Sequence, residues 1–138
     1  TIMKRYFFLI LLTTVLAGSL SCKKEENDPP AGVLSSYWKG MYSDTLSTPD
    51  KGYGLLFRSN NSVRVYDMAL TTDSAAATIG EGTYTISSNV VNFNYTNLSS
   101  TGLYSGNGTI NSSGNLLSGQ ITFTSIDTTT GNFTVTKQ

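Results

Sequence analysis

From residue 37 onward, apolar and polar side chains alternate with a period of two, as strands with one buried face require. The pattern predicts eight strands, at residues 37–42, 53–58, 62–69, 81–86, 90–95, 104–110, 116–124 and 132–137. Tyr84 and Ile86 alternate with Thr83 and Thr85, and Val91, Phe93 and Tyr95 alternate with Asn92 and Asn94. Leu117, Ile121 and Phe123 likewise alternate with Ser118, Gln120 and Thr122. The expected core is Leu55, Phe57, Tyr84, Val91, Phe93, Tyr95, Tyr104, Ile121, Phe123 and Phe133. In the third segment Val63 and Val65 oppose Arg64, Tyr66 and Met68, so its inner face stays open. No helical period appears in this region.

The connections alternate between long and short. Long segments are expected at 43–52, 70–80 and 96–103, and tight turns at Asn60-Asn61, Ser87-Ser88-Asn89 and Ser112-Ser113-Gly114. Asn and Gly tolerate the positive φ that tight hairpins need. In an up-and-down meander this alternation sends the long loops to one rim and the tight turns to the other. Eight strands are also the number that closes into a small barrel and abolishes edges. The expected fold is therefore all-β: a single antiparallel up-and-down eight-stranded barrel over 33–138.

A different pattern precedes it. Met3, Lys4 and Arg5 lead into an apolar stretch over 6–17, and Ser19, Leu20 and Ser21 precede Cys22, the single cysteine. The apolar stretch falls short of the about 20 residues needed to cross a bilayer. Charge, apolar run, small residues and cysteine in this order resemble a bacterial lipoprotein signal. The resemblance implies cleavage after residue 21 and acylation of Cys22, with 22–32 left as a linker. Acyl chains contribute about 0.8 kcal/mol per buried methylene, and two or more hold a protein stably at a membrane. Lys24, Glu25 and Glu26 resemble the surface-export signal of Bacteroidota lipoproteins. The implied location is the outer membrane, lipid-anchored and surface-exposed.

Charge narrows the partners. The 138 residues carry nine basic and nine acidic side chains and no histidine. Basic residues are scattered, so nothing in the sequence would neutralise a phosphate backbone, and a nucleic acid is not an expected partner. Catalysis is not expected either. Histidine is missing, the lone thiol would be acylated, and acids occur singly. Asp67 and Glu81 could form a carboxylate pair on adjacent strands. The simpler expectation is that both face solvent or pair with Arg58 and Arg64. No cluster of His, Cys or closely spaced acids suggests a metal, and no cofactor is expected.

Tyr37-Trp38-Lys39-Gly40-Met41-Tyr42, Gly80-Glu81-Gly82-Thr83-Tyr84 and Thr130-Gly131-Asn132-Phe133 place glycine beside aromatic residues at strand entries. The domain resembles the small lipocalin-like or avidin-like barrels of Bacteroidota lipoproteins. That resemblance implies that Trp38 plugs the closed end and that the interior takes a small apolar ligand. Large aromatics fill many barrels outright, so a filled interior is the alternative. Asp44-Thr45, Asp73-Ser74 and Asp127-Thr128 resemble the Bacteroidota O-glycosylation signal, which would place glycans on Thr45, Ser74 and Thr128. The expected function is non-enzymatic: a lipid-anchored barrel binding a small ligand, or a protein or glycan partner, through its interior or its long-loop rim. The alternative is a β-sandwich adhesion or accessory subunit of an envelope complex, with an exposed aromatic patch using Tyr53 or Tyr66.

Overall fold

The computed structural model describes residue 33 and residues 35–69, 73–124 and 127–138. The expected signal segment 1–21, Cys22, the linker 22–32 and the export residues Lys24, Glu25 and Glu26 lie outside the described residues.

Eight strands follow in order: β1 Ser36–Tyr42, β2 Lys51–Phe57, β3 Ser62–Met68, β4 Thr78–Ser87, β5 Val90–Asn97, β6 Leu103–Ile110, β7 Leu116–Thr124 and β8 Thr129–Lys137. Each pairs antiparallel with the next, and β8 returns to pair with β1. Lys39 stands opposite Thr136 in this closing pair. Closure overturns the two-sheet sandwich and leaves no free sheet edge.

Several strands run farther toward the long-loop end than alternation predicts. β4 begins at Thr78 rather than Glu81, β5 ends at Asn97 rather than Tyr95, and β8 begins at Thr129 rather than Asn132. Apart from Ile79, the added residues are Thr, Gly and Asn, which carry turn signals in a sequence. Pairing overrides those signals here. Gly80 sits opposite Asn97, and its missing side chain leaves room for the Tyr95 ring. At the other end, Asn61 (φ 62°), Ser88 (φ 54°) and Gly114 (φ 70°) supply the left-handed backbone of the tight turns.

Alternation puts one side of every strand inside. Trp38, Tyr53, Leu55, Phe57, Phe93 and Phe133 are all buried in one cluster with Tyr84, Tyr95, Ile110, Leu117 and Val135. Val63 and Val65 are fully buried, which settles the faces of β3 and leaves Asp67 on the inner side. Tyr53 is buried, and Tyr66 packs edge-on against Tyr37 with ring centroids 5.8 Å apart. Tyr53 is thus unavailable as a surface aromatic, while Tyr66 is half-buried on the outer face beside Tyr37. Tyr104 and Phe123 are only half-buried, because they lie toward the long-loop end.

The chain enters at the tight-turn end. Val33 is buried there, the Ser36 hydroxyl donates to its carbonyl, and the Trp38 indole N–H donates to Ser36 Oγ at 2.7 Å. Trp38 thus fills the barrel at the entry end with its one polar atom satisfied, as a buried tryptophan requires. The chain's last residue is at the same end, with the Gln138 amide on the Tyr37 carbonyl at 2.9 Å.

The outer surface of the strands is mostly polar, with half-buried Tyr37, Leu56 and Tyr66 on its β1–β3 side. Its charges lie on one side. Glu81 accepts from Arg58 Nη1 at 3.1 Å and from Arg64 Nε directly across the β3–β4 ladder. Burial pushes the Glu81 carboxyl up, but the two guanidinium groups outweigh it and hold it below the usual carboxylate range. A depressed folded-state value adds stability at neutral pH that is lost as pH falls through that value. Glu81→Gln should therefore lower stability at pH 7 and flatten its decline below about pH 4, measured as urea midpoints across the acid range.

Candidate functional site

Strand parity brings an unexpected polar group inside the long-loop end. Asp67 follows Val63 and Val65 on the inner face of β3. Its Oδ1 accepts from the Tyr42 hydroxyl at 3.0 Å and from the Ala69 amide at 3.0 Å. Asp67 therefore neither faces solvent nor pairs with an arginine, as the simpler expectation had it. Glu81 does pair with Arg58 and Arg64, but on the outside. The two carboxylates lie on opposite faces of the wall and form no catalytic pair.

Around Asp67 stands a group of tyrosines. Tyr53 OH reaches Tyr95 OH at 3.4 Å, Tyr95 stacks on Tyr104 at 4.7 Å, and Tyr104 stacks on Phe123 at 4.6 Å. Tyr42 and Tyr53 lie 5.2 Å apart. Burial, and then the nearby Asp67 charge, push the hydroxyls of Tyr42 and Tyr104 above the usual phenol range. Burial does the same to Tyr53 and Tyr95. All four hydroxyls are thus neutral donors at physiological pH. Asn97 Nδ2 lies 3.4 Å from Tyr104 OH, while its buried Oδ1 has no hydrogen-bond partner.

Little empty space remains. A slot of ≈ 30 Å³ opens at the mouth between Tyr42, Ser43, Tyr104, Ile121, Phe123 and Gly131. That volume holds about two water molecules. Below it Phe93 lies at 5.7 Å from Phe133 and 6.4 Å from Phe57, and a methyl placed on Gly106 would land on the Phe93 ring. Among the described residues the interior is filled by side chains down to this slot, the second of the two interiors left open by the sequence.

The mouth's rim has a distinct chemistry. The exposed large apolar residues among the described ones are Met41, Leu46, Leu98 and Leu103. Met41 and Leu103 sit at the mouth ends of β1 and β6, and Leu46 and Leu98 in the loops after β1 and β5. Met41, Leu98 and Leu103 therefore lie at the long-loop end, on both sides of the barrel, while Leu46 lies against the outer wall beside Ser118, Asn132 and Thr134. Lys51 pairs there with Asp44, and its ammonium lies 5.8 Å from the Tyr42 ring centroid.

The three Asp-Ser/Thr sites are also at this end. Thr45 and Thr128 are exposed, and Ser74 is half-buried in a short 3-10 turn, Ser74–Ala76. The Asp73 carboxylate caps that turn by accepting from the Ala75 amide at 2.9 Å. Sequence reasoning missed Asp67, Tyr42 and the leucine rim as site residues. Parity with Val63 and Val65 was the available signal for Asp67, and parity with Trp38 for Tyr42. Single apolar residues in polar loops carry no comparable signal.

Comparison with family models, with curated proteins and with solved structures found no match to the chain.

Proposed function

We propose that this protein is a non-enzymatic, lipid-anchored module of the bacterial cell envelope that binds a partner protein through the rim of its long-loop mouth. The carrying observation is the placement of exposed Met41, Leu98 and Leu103 at the end opposite the chain's entry. A partner seated across the mouth would cover all three, giving their exposed apolar surface a use. A filled interior supports the rim rather than a chamber as the contact. The sequence before Val33 supports the tether: a lipoprotein-like signal ending at Cys22, with Lys24, Glu25 and Glu26 as an outward address. A tether at the entry end would hold the barrel with its mouth away from the membrane. Glycans on Thr45, Ser74 and Thr128 would flank the same mouth and limit access to partners that fit between them.

The non-enzymatic part rests on how the carboxylates are occupied. Asp67 is engaged by Tyr42 and a backbone amide, and Glu81 by two arginines. Asp44, which lines the slot, is paired with Lys51, so none of the three stands free there to move a proton.

Two measurements test the proposal. Cys22→Ser should move the protein from the membrane fraction to the soluble fraction, and unchanged retention would refute lipidation there. A photo-crosslinking residue at position 98 should give a discrete adduct in the producing cell's envelope, and one at position 113, on the tight-turn end, should not. Met41→Ser with Leu103→Ser should cut the adduct at least tenfold, since each lost apolar anchor of this size is worth about 1–2 kcal/mol. Equal labelling at both ends would refute the rim as the contact.

A further inference from the structure

The outer wall formed by β5, β6, β7 and β8 is chemically unlike the rest of the barrel. β5, β6 and β7 contain no charged residue, and β8 contains only Lys137, at its end. On their outer faces the first four strands carry Lys39, Arg64 and Glu81. Solvated strand faces ordinarily use Lys and Glu for solubility. Here amides and hydroxyls replace them across half the circumference.

These groups are in register. Asn92 pairs with Asn107, Asn107 with Gln120, and Gln120 with Asn132, so four amide side chains form one row across four neighbouring strands. Strand spacing makes this row about 15 Å long. A second row, Asn94, Ser105, Thr122 and Thr130, runs parallel to it. Asn107 Nδ2 donates to Asn92 Oδ1 at 2.6 Å and Asn132 Nδ2 donates to the Ser47 carbonyl at 3.1 Å, which fixes both ends of the amide row.

Two shallow depressions lie along that row. One groove of ≈ 380 Å³ lies among Asn92, Asn94, Ser105, Asn107, Gln120 and Thr122. The other, ≈ 470 Å³, lies where the loop after β1 folds over Ser118, Asn132 and Thr134, with Leu46 and Pro49 on its edge. Gln120 and Asn132, which adjoin in the row, belong one to each groove.

We infer that this wall is a binding site for a neutral oligosaccharide. Each sugar hydroxyl both donates and accepts, and an amide side chain does both in turn. Missing charge disfavours nucleic acids and acidic polymers, which need cations opposite them. The grooves also lack the Tyr, Trp and Arg anchors on which protein interfaces depend. Leu46 and Pro49 offer an apolar edge for the carbon-bound hydrogens of a sugar ring. The ligand class follows from the wall alone and does not depend on the rim contact proposed above.

The experiment is a titration of the full mature chain, carrying Cys22→Ser to keep it off membranes, with neutral gluco-, galacto- and manno-oligosaccharides, followed by backbone amide resonances. At least one series should shift Asn92, Asn107, Gln120 and Asn132 in a saturable manner. Affinity should not change with salt, because no charge is involved. Asn107→Ala with Gln120→Ala should weaken binding about tenfold, as the loss of one to two neutral hydrogen bonds implies, with an unchanged melting temperature. Failure of all three series to shift the wall would overturn the inference. So would shifts confined to the mouth loops, or binding indifferent to the double substitution.

Discussion

Above about pH 10 the protein should lose stability steeply, by about 2.7 kcal/mol per pH unit from Tyr53 and Tyr95 alone. Both rings are buried, and burial pushes both hydroxyls far above the usual phenol range. In the unfolded chain each ionises near pH 10, while in the folded barrel both stay protonated. Above that pH the unfolded state holds two fewer protons, so each further unit favours it by about 1.4 kcal/mol per tyrosine. Below the unfolded value the effect is absent, and it saturates only when the folded values are reached. A domain of ordinary stability, about 5–15 kcal/mol, would be exhausted within a few units. Urea midpoints followed from pH 9 upward would measure the slope. Tyr53→Phe with Tyr95→Phe removes both hydroxyls and the 3.4 Å contact between them. Replacing both partners of a hydrogen bond is nearly neutral at pH 7, so the double variant should match the parent there and lose the slope. An undiminished slope would mean that these hydroxyls are not sequestered.

Phe93→Ala should cost about 3–5 kcal/mol, the range for removing a buried aromatic ring. Phe93 lies in the middle of the filled interior. It meets Phe57 and Phe133 edge-to-face, stacks with Tyr95 at 6.3 Å, and covers the bare backbone of Gly106. Thermal unfolding should show a drop of roughly 15 °C or more for a domain of this size. The same variant should gain what the parent lacks: a dry cavity that small apolar probes enter, raising its melting temperature. Gly106→Ala alone should be destabilising by about 1–3 kcal/mol through overpacking. Combined with Phe93→Ala it should cost far less than the sum, because the methyl then occupies vacated space. A loss under about 1 kcal/mol for Phe93→Ala would show that the interior is not packed around this ring.

Strand number, direction and inner face were legible because each rests on alternation. Phe93 among Asn92 and Asn94, or Ile121 among Gln120 and Thr122, has one reading if one face is wet. Loop alternation then placed the tight turns, and Asn61 and Gly114 adopt the left-handed backbone there. Strand ends were less legible. Gly80 and Asn97 look like loop residues until they are paired with each other across β4 and β5. The occupied interior was not readable either, since volume depends on how Phe93 and Tyr95 lean over Gly106 and Gly80. Asp67 was misplaced for a similar reason: charge suggested solvent, while the period of its strand put it inside beside Tyr42. The amide wall was written in the sequence as Asn92, Asn107, Gln120 and Asn132, but their alignment needs the register of three ladders.

Since β1 and β8 are hydrogen-bonded neighbours and the Gln138 amide meets the Tyr37 carbonyl, the two extremities of the ring can be spliced with little added chain. Circularly permuted versions reopened within the loop after β5 should therefore assemble the same staves. Such a permutant would begin and end at the opposite pole, beside the mouth rather than the tight turns.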